Sequence, residues 1–404
     1  MATKIVATPL FADILNYFRS HYPASTAELD FASHLSPLLF CPDSVTLPVG
    51  IKAQAEEIVK AFFLLRNLNS RKTQLEALTP PVRDPGNTSV LMSYDFHVDA
   101  QGALRLIEIN TNASMSLLVH ALYTVKGVKN VFSDDFIKSI LSSFHREYTD
   151  FACAGKTGLM SAAIVDDAPE RQKLFAEFLL YRELFAKHGL QAHILDVRAL
   201  KFDGQRLRAG SETIDLVYNR DTDFYLQDGR SEALRGALAA NAVCVSPNAH
   251  EYRLLADKER LTELSQPQAL EAFAGQLEPQ AIEALGRCLI KSRDVKAFAS
   301  GAELWAERRK WFFKPTRSFG SKAAYRGSSV TKKVFEELFK ADYVAQEFVP
   351  APEVLLPSQE GKFKYDLRFF VYRDQIQLAC ARVYRGQMTN SQTPGGGLAT
   401  IEFR

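Results

Sequence analysis

The sequence predicts a multidomain protein of the α/β (α+β) class. Three observations carry that reading. Residues 159–218 run strand, helix, strand, small hairpin, strand, an order that gives a parallel sheet with a helical crossover. A separate β signal lies at Ser89 to Ser114, where two strands flank a tight turn. The 404 residues, 47% hydrophobic and 24% charged, suffice for two or three domains with cores of their own.

Charge and cysteine content exclude some classes. A net charge of +2 argues against a nucleic-acid binder that relies on a strong basic field. Cys41, Cys153, Cys244, Cys288 and Cys380 are scattered, odd in number and without CxxC spacing, as expected of reduced thiols in a cytoplasmic protein. No long apolar stretch follows the N-terminus and no 18-residue apolar run occurs, so neither a secretory leader nor a membrane partner is expected.

Taken in order, Phe11 to Tyr22 predicts an amphipathic helix, and Leu35 to Pro48 has turn and loop composition. Residues 49–68 predict a longer helix with an apolar stripe at Ile51, Ile58, Ala61, Phe62 and Leu65. Pro80, Pro81, Pro85 and Gly86 break the pattern. In the hairpin, residues 89–98 pair with 103–111 around the turn Asp99-Ala100-Gln101-Gly102. Glu108 and Asn110, two apart, share a face. With Val98 opposite Ala103, Asp95 faces Leu106 and is a diagonal neighbour of Glu108. Two carboxylates and an amide oxygen then converge as a hard-oxygen set suited to magnesium. A solvated hairpin carrying surface acids is the competing reading. Leu104, Leu106, Ile107 and Ile109 around the acids favour burial, and a buried carboxylate needs a partner, a cation being the simplest. Helices follow at Ser114 to Val125 and Asp134 to Tyr148.

A new unit starts near Gly155. Leu159 to Val165 is a strand. Asp167 and Glu170 spell a capping box, with Pro169 in the first turn, for a helix that stops at Gly189. Lys173 and Glu177 share a face of it as an exposed ion pair. Strands follow at Ala192–Leu195 and Ile214–Tyr218, and GxGxxG is absent. At the exit of the last strand, Arg220 suits either a substrate carboxylate or an interdomain salt bridge.

The remainder changes character. Leu254 to Lys258 begins a helix. Trp311 to Pro315 is a short strand ending in a lysine, followed by a basic, small-residue loop, residues 316–327, that is not a Walker P-loop. Tyr343 to Val349 is an apolar strand. Lys364 to Arg368 opens a strand that turns at Arg373-Asp374 and returns through Ile376–Val383 with Arg382. The last loop carries Asn390 and the triple glycine Gly395-Gly396-Gly397, read as mobile backbone donors beside fixed positive charge.

Together these residues resemble the ATP-grasp superfamily, nearest its glutathione synthetase-like branches. The ExN hairpin precedes the other parts, as in the circularly permuted members such as eukaryotic-type glutathione synthetase and glutathionylspermidine synthase. The resemblance implies an ATP-grasp fold with a Rossmann-like pre-ATP-grasp substrate domain, circularly permuted. It divides the chain into N-terminal helices plus a metal-binding hairpin (1–154), a substrate domain (155–250), an ATP-grasp N-lobe with a phosphate loop (251–345) and a C-lobe (346–404). It implies ATP binding by Lys258, Lys314, Gly320, Ser321, Lys322 and the hinge Gln346, Glu347, Phe348 and Val349. It implies magnesium, as two ions, on Asp95, Glu108 and Asn110. A catalytic set of Arg382, Asn390, Gly395 and Gly396 follows, with substrate contacts from Arg220, Asn112, Ser114 and Arg368.

The implied activity is a carboxylate–amine ligase that forms an amide through an acylphosphate. Its partners would be a small carboxylate and an amine (an amino acid or short peptide), and a homodimer is allowed. A small-molecule phosphotransferase and a non-catalytic nucleotide-binding protein are the alternatives. The sequence departs from the permuted pattern at Ser93, where an arginine is usual, and at Ser318, where an acid is. Arg382 is expected to supply the charge missing at position 93. His97, on the face of Asp95, is expected to pack or hydrogen-bond rather than to act as a base. No residues suited to γ-glutamylcysteine stand out in 169–184, so the chain is not read as a glutathione synthetase.

Overall fold

A seven-stranded sheet runs through the middle of the computed structural model, which describes residues 8–76, 78–152, 158–316, 323–390 and 392–404. Its strand order is Phe40–Leu47, Gly397–Phe403, Gln375–Tyr384, Lys362–Tyr372, Met92–Val98 and Leu104–Asn110, with Glu353–Leu355 pairing the start of Lys362–Tyr372. The first pair is parallel and the rest are antiparallel. The early hairpin therefore joins the same sheet as the late strands.

Both faces of this sheet are covered, which explains its near-continuous apolar strands. Phe370, Leu378, Cys380 and Leu398 pack into one core with the helices Pro9–His21, Ser116–Lys126, Phe136–Ala152 and Phe175–Lys187. Leu367, Phe369, Val371, Ala379 and Ala381 face a second core with the helices Val49–Asn67 and Pro279–Cys288. All five stripe residues predicted for residues 49–68 are buried there.

A four-stranded parallel sheet, ordered Cys244–Ser246, Leu216–Asn219, Ser161–Asp166, Gln191–Asp196, packs against the first core. The small hairpin predicted through Asp203-Gly204 belongs to a three-stranded meander beside it. A four-stranded antiparallel sheet, ordered Ser292–Asp294, Tyr343–Glu347, Trp311–Pro315, Tyr325–Arg326, carries the basic half of the chain.

Three local expectations are corrected. Residues 40–47, read as loop, form an edge strand; Pro42 sits where its register with the neighbour shifts, a position that tolerates a missing donor. The capping box at Asp167 does not form. Asp167 Oδ1 instead accepts a 2.6 Å bond from Arg198, residues 169–171 make a 3₁₀ turn, and the helix begins at Phe175. Glu177 is buried and unpaired with Lys173. It accepts the Met115 and Leu117 backbone N–H groups at 2.7 and 3.2 Å and so caps the helix Ser116–Lys126.

Candidate active site

The hairpin register differs from the sequence expectation. Val98 opposes Leu104, not Ala103, because the turn takes one more residue. A β-bulge then leaves Ile107 unpaired, so Asp95 stands directly opposite Glu108 and Ser93 opposite Asn110. The three predicted cation ligands therefore do converge. The Asn110 amide nitrogen lies 3.4 Å from Asp95 Oδ2 and 3.3 Å from Glu108 Oε1. The bulge also frees the Ile107 carbonyl, which accepts Lys314 Nζ at 2.8 Å and Gln346 Nε2 at 3.3 Å. It thereby joins the hairpin to the neighbouring antiparallel sheet.

Asp95 is 1% exposed, and its partners are arginines. Arg368 binds it in a bidentate pair, Nε to Oδ1 at 2.9 Å and Nη2 to Oδ2 at 2.7 Å, and Arg382 Nη2 reaches Oδ2 at 3.0 Å. Burial alone would raise the Asp95 pKa, but these guanidinium groups hold it below the usual carboxylate range. Arg382 is further held by Asp366, its direct cross-strand neighbour, through Nε to Oδ1 at 2.5 Å. Asp366 Oδ2 accepts Thr389 Oγ1, also at 2.5 Å.

Beside this row lies a cleft that opens to solvent. Glu108, Lys258, Lys314, Arg382 and the segment Gln346–Val349 all line it, together with Arg326, Asp366 and Thr389. Lys314 is buried, and burial lowers its pKa to about 8 against the opposing pull of Glu108. Lys258 opens the helix Lys258–Leu264 behind the N-cap Asp257. In the predicted hinge, Glu347 and Phe348 donate their N–H groups to the Lys291 and Lys310 carbonyls, and the Val349 carbonyl accepts His97 Nδ1 at 2.9 Å. Those groups are thus committed to the protein. His97 makes this hydrogen bond and also lines the cleft.

Other predicted residues lie elsewhere. Gly320, Ser321 and Lys322 fall outside the described residues, as do Ser318 and Cys153. Asn390 is exposed and accepts the Gln392 N–H in a local turn. Gly395 and Gly396 are not among the residues that line the cleft. A Cβ on Gly396 would stand 2.3 Å from the Val383 carbonyl, and one on Gly395 2.2 Å from Gln359 Oε1. The triple glycine serves close packing where the strand Gly397–Phe403 begins. Arg220 is buried, and among the described residues it makes no salt bridge. It donates to the Ala113 carbonyl at 2.9 Å and the Tyr218 hydroxyl at 3.1 Å and does not line the cleft. Arg368 is committed to Asp95. Asn112 lines a narrow crevice that continues from Glu108 and Lys258 to Phe224 and Tyr252, and Ser114 is half-buried ahead of the next helix.

Sequence reasoning passed over Asp366 and Thr389. For Asp366 a signal was present. Lys364, Asp366 and Arg368 alternate along an otherwise apolar strand and so share one face.

No family model and no curated protein matches the chain. Among solved structures, a protein from Methylobacillus flagellatus KT, provisionally named a gamma-glutamylcysteine synthetase, matches 90% of this chain and 90% of its own at a TM-score of 0.50 and 10% identity. The chain shares the overall fold of that protein. The ATP-grasp ligase PsnB, solved with a minimal precursor, magnesium and ADP, matches 60% of this chain and 88% of its own at a TM-score of 0.30 and 15% identity, too low to support an argument. Among the described residues no helix is long and apolar enough to cross a membrane.

Magnesium is the cation expected at the hairpin from its two acids and its amide. Among the described residues no group of three or more His, Cys, Asp or Glu side chains is arranged to hold a metal. Asp95 has both oxygens in ion pairs with Arg368 and Arg382. Glu108 and Asn110 remain. One carboxylate and one amide suit magnesium when a ligand's phosphate oxygens complete the shell.

Proposed function

We propose that this protein is an ATP- and magnesium-dependent carboxylate–amine ligase, forming an amide through an acylphosphate. One observation carries the reading. Lys258, Lys314, the 346–349 segment, Glu108 and Arg382, drawn from distant stretches of sequence, line one cleft. In this reading Gln346–Val349 flank the purine, and Lys258 and Lys314 neutralise the phosphates. Glu108 and Asn110 hold the cation, which when bound neutralises charge on the transferring phosphoryl group. Arg382 faces the oxygens where negative charge develops. An amine arriving neutral needs little activation, so positioning dominates.

Several finer points belong to the same proposal. The early hairpin is the metal-binding piece of a permuted C-lobe, supported by its pairing with Lys362–Tyr372. The boundaries 1–154, 155–250, 251–345 and 346–404, two bound magnesium ions, a homodimer and a cytoplasmic location go with it; the four described cysteines form no disulfide. The carboxylate and amine are an amino acid or short peptide, in keeping with the synthetase name of the Methylobacillus flagellatus protein.

The test is ADP and phosphate release across a matrix of carboxylates against amino acids, amines and small peptides. Stoichiometric ADP, phosphate and amide, each needing both substrates, would support the ligase. ADP with a stable phosphoester and no free phosphate would make it a phosphotransferase. Magnesium-dependent ATP binding with no ADP under any pairing would leave only a binding protein.

A further inference from the structure

The row of charges on the central sheet holds more cation than a simple metal site would. Asp95 spends three oxygen contacts on two guanidinium groups, and Asp366 takes Arg382 from the other side. Two aspartates and two arginines therefore balance within one largely buried network. We propose that Asp95 is an arginine clamp, positioning Arg382 toward the cleft, and not a ligand of the divalent cation. The proposal rests on reading the cleft as a nucleotide site and deepens it.

Three arguments support the clamp. For Asp95 to bind a cation it would have to give up contacts with Arg368 or Arg382, and Arg368 has no other ion-pair partner among the described residues. A divalent ion on Asp95 would also sit against two fixed positive charges. And Arg382 is gripped at Nε by Asp366 and at Nη2 by Asp95, which leaves Nη1 without a protein partner among the described residues while the side chain lines the cleft. Clamping from two sides fixes the direction of the two Nη1 donors. The arrangement also accounts for Ser93, whose hydroxyl lies against Asp95. An arginine at 93 would add a third guanidinium where Arg368 and Arg382 already meet Asp95 and Asp366.

The test is Asp95→Asn in the full chain. Its readouts are Mn²⁺ binding by electron paramagnetic resonance, with and without ADP, thermal unfolding, and the split between kcat and KM for ATP. Asp95→Asn is expected to weaken Mn²⁺ binding by less than about tenfold, against the order of a hundredfold for Glu108→Gln. It should lower kcat with little change in KM. Its melting temperature should fall, and Asp95→Leu combined with Arg368→Met and Arg382→Met should recover much of that loss. Equal loss of Mn²⁺ binding in Asp95→Asn and Glu108→Gln would overturn the clamp. If the wild-type protein binds no Mn²⁺ with ADP, the nucleotide reading fails instead. The unfolding cycle then decides the clamp alone: strictly additive effects of Asp95→Asn and Arg382→Met would overturn it.

Discussion

Asp366 and Arg382 face each other across adjacent strands, and the 2.5 Å bond between them points the arginine into the cleft from the interior of the sheet. A charged donor fixed in this way needs no reorganisation when an anion arrives, the condition under which such a group stabilises a transition state most.

Replacing Arg382 with Ala should therefore cost turnover far more than binding. The expected loss is about 2–4 kcal/mol in the barrier, as for removal of one preorganised donor. ADP release under saturating ATP, compared with equilibrium binding of a non-hydrolysable analogue, checks it. Unchanged turnover, or a loss confined to binding, would sink the role.

Lys314 links the cleft to pH. Its folded pKa of about 8 lies below its ordinary 10.5. The unfolded chain then binds more protons across that window, so this group makes the ligand-free protein more stable as pH rises from about 8 toward 10.5. Phosphate binding favours the charged lysine, so nucleotide binding near pH 9 should take up a proton. Calorimetry in two buffers of different ionisation heat measures that uptake, and Lys314→Met should abolish it. Equal heats in both buffers would refute the assignment.

Glu147 tests a structural role. Its fully buried carboxylate accepts from Asn87 Nδ2, the Thr88 N–H and hydroxyl, Ser246 Oγ and the Tyr372 hydroxyl, tying three parts of the chain together. Glu147→Leu strands those donors and should cost at least about 3 kcal/mol in denaturant unfolding. Turnover per folded molecule should hold.

Gly397 separates packing from chemistry in the last loop. Its φ is +102°, and a Cβ there would lie 2.5 Å from the Leu38 and Leu39 carbonyls. Gly397→Ala should destabilise by roughly 2–4 kcal/mol. ATP turnover should fall only with the folded fraction. A loss of kcat in the fully folded variant at low temperature would return these glycines to the chemistry.

The α/β class, the parallel unit and most helices were legible in the sequence because each rests on a local period. The facing of Asp95 and Glu108 was only half legible. Alternation announced that the acids share a face, but a bulge at Ile107 leaves no mark in an unbroken apolar run. The same limit hid the 40–47 strand, whose pairing is with residues near 400. It also undid the capping box at Asp167, where a distant Arg198 competes for the carboxylate. Asp95 shows it most plainly: the residue reads as needing a cation, and only the next two strands of the sheet reveal two guanidinium groups against it. A run of glycine likewise looks the same in sequence whether it moves or is wedged.

The pairing of Met92–Val98 with Lys362–Tyr372 also sets an order in time. A ribosome that has made the first 350 residues has produced the acidic hairpin, the parallel unit and most of the basic sheet. The strand bearing Asp95 still has an open side, with its hydrogen-bonding groups unmet. Such an edge invites pairing with another nascent chain, and closing so long a loop is slow. The same stretch that organises the chemistry thus waits long for its neighbour, and synthesis must outpace aggregation until residues 362–372 emerge.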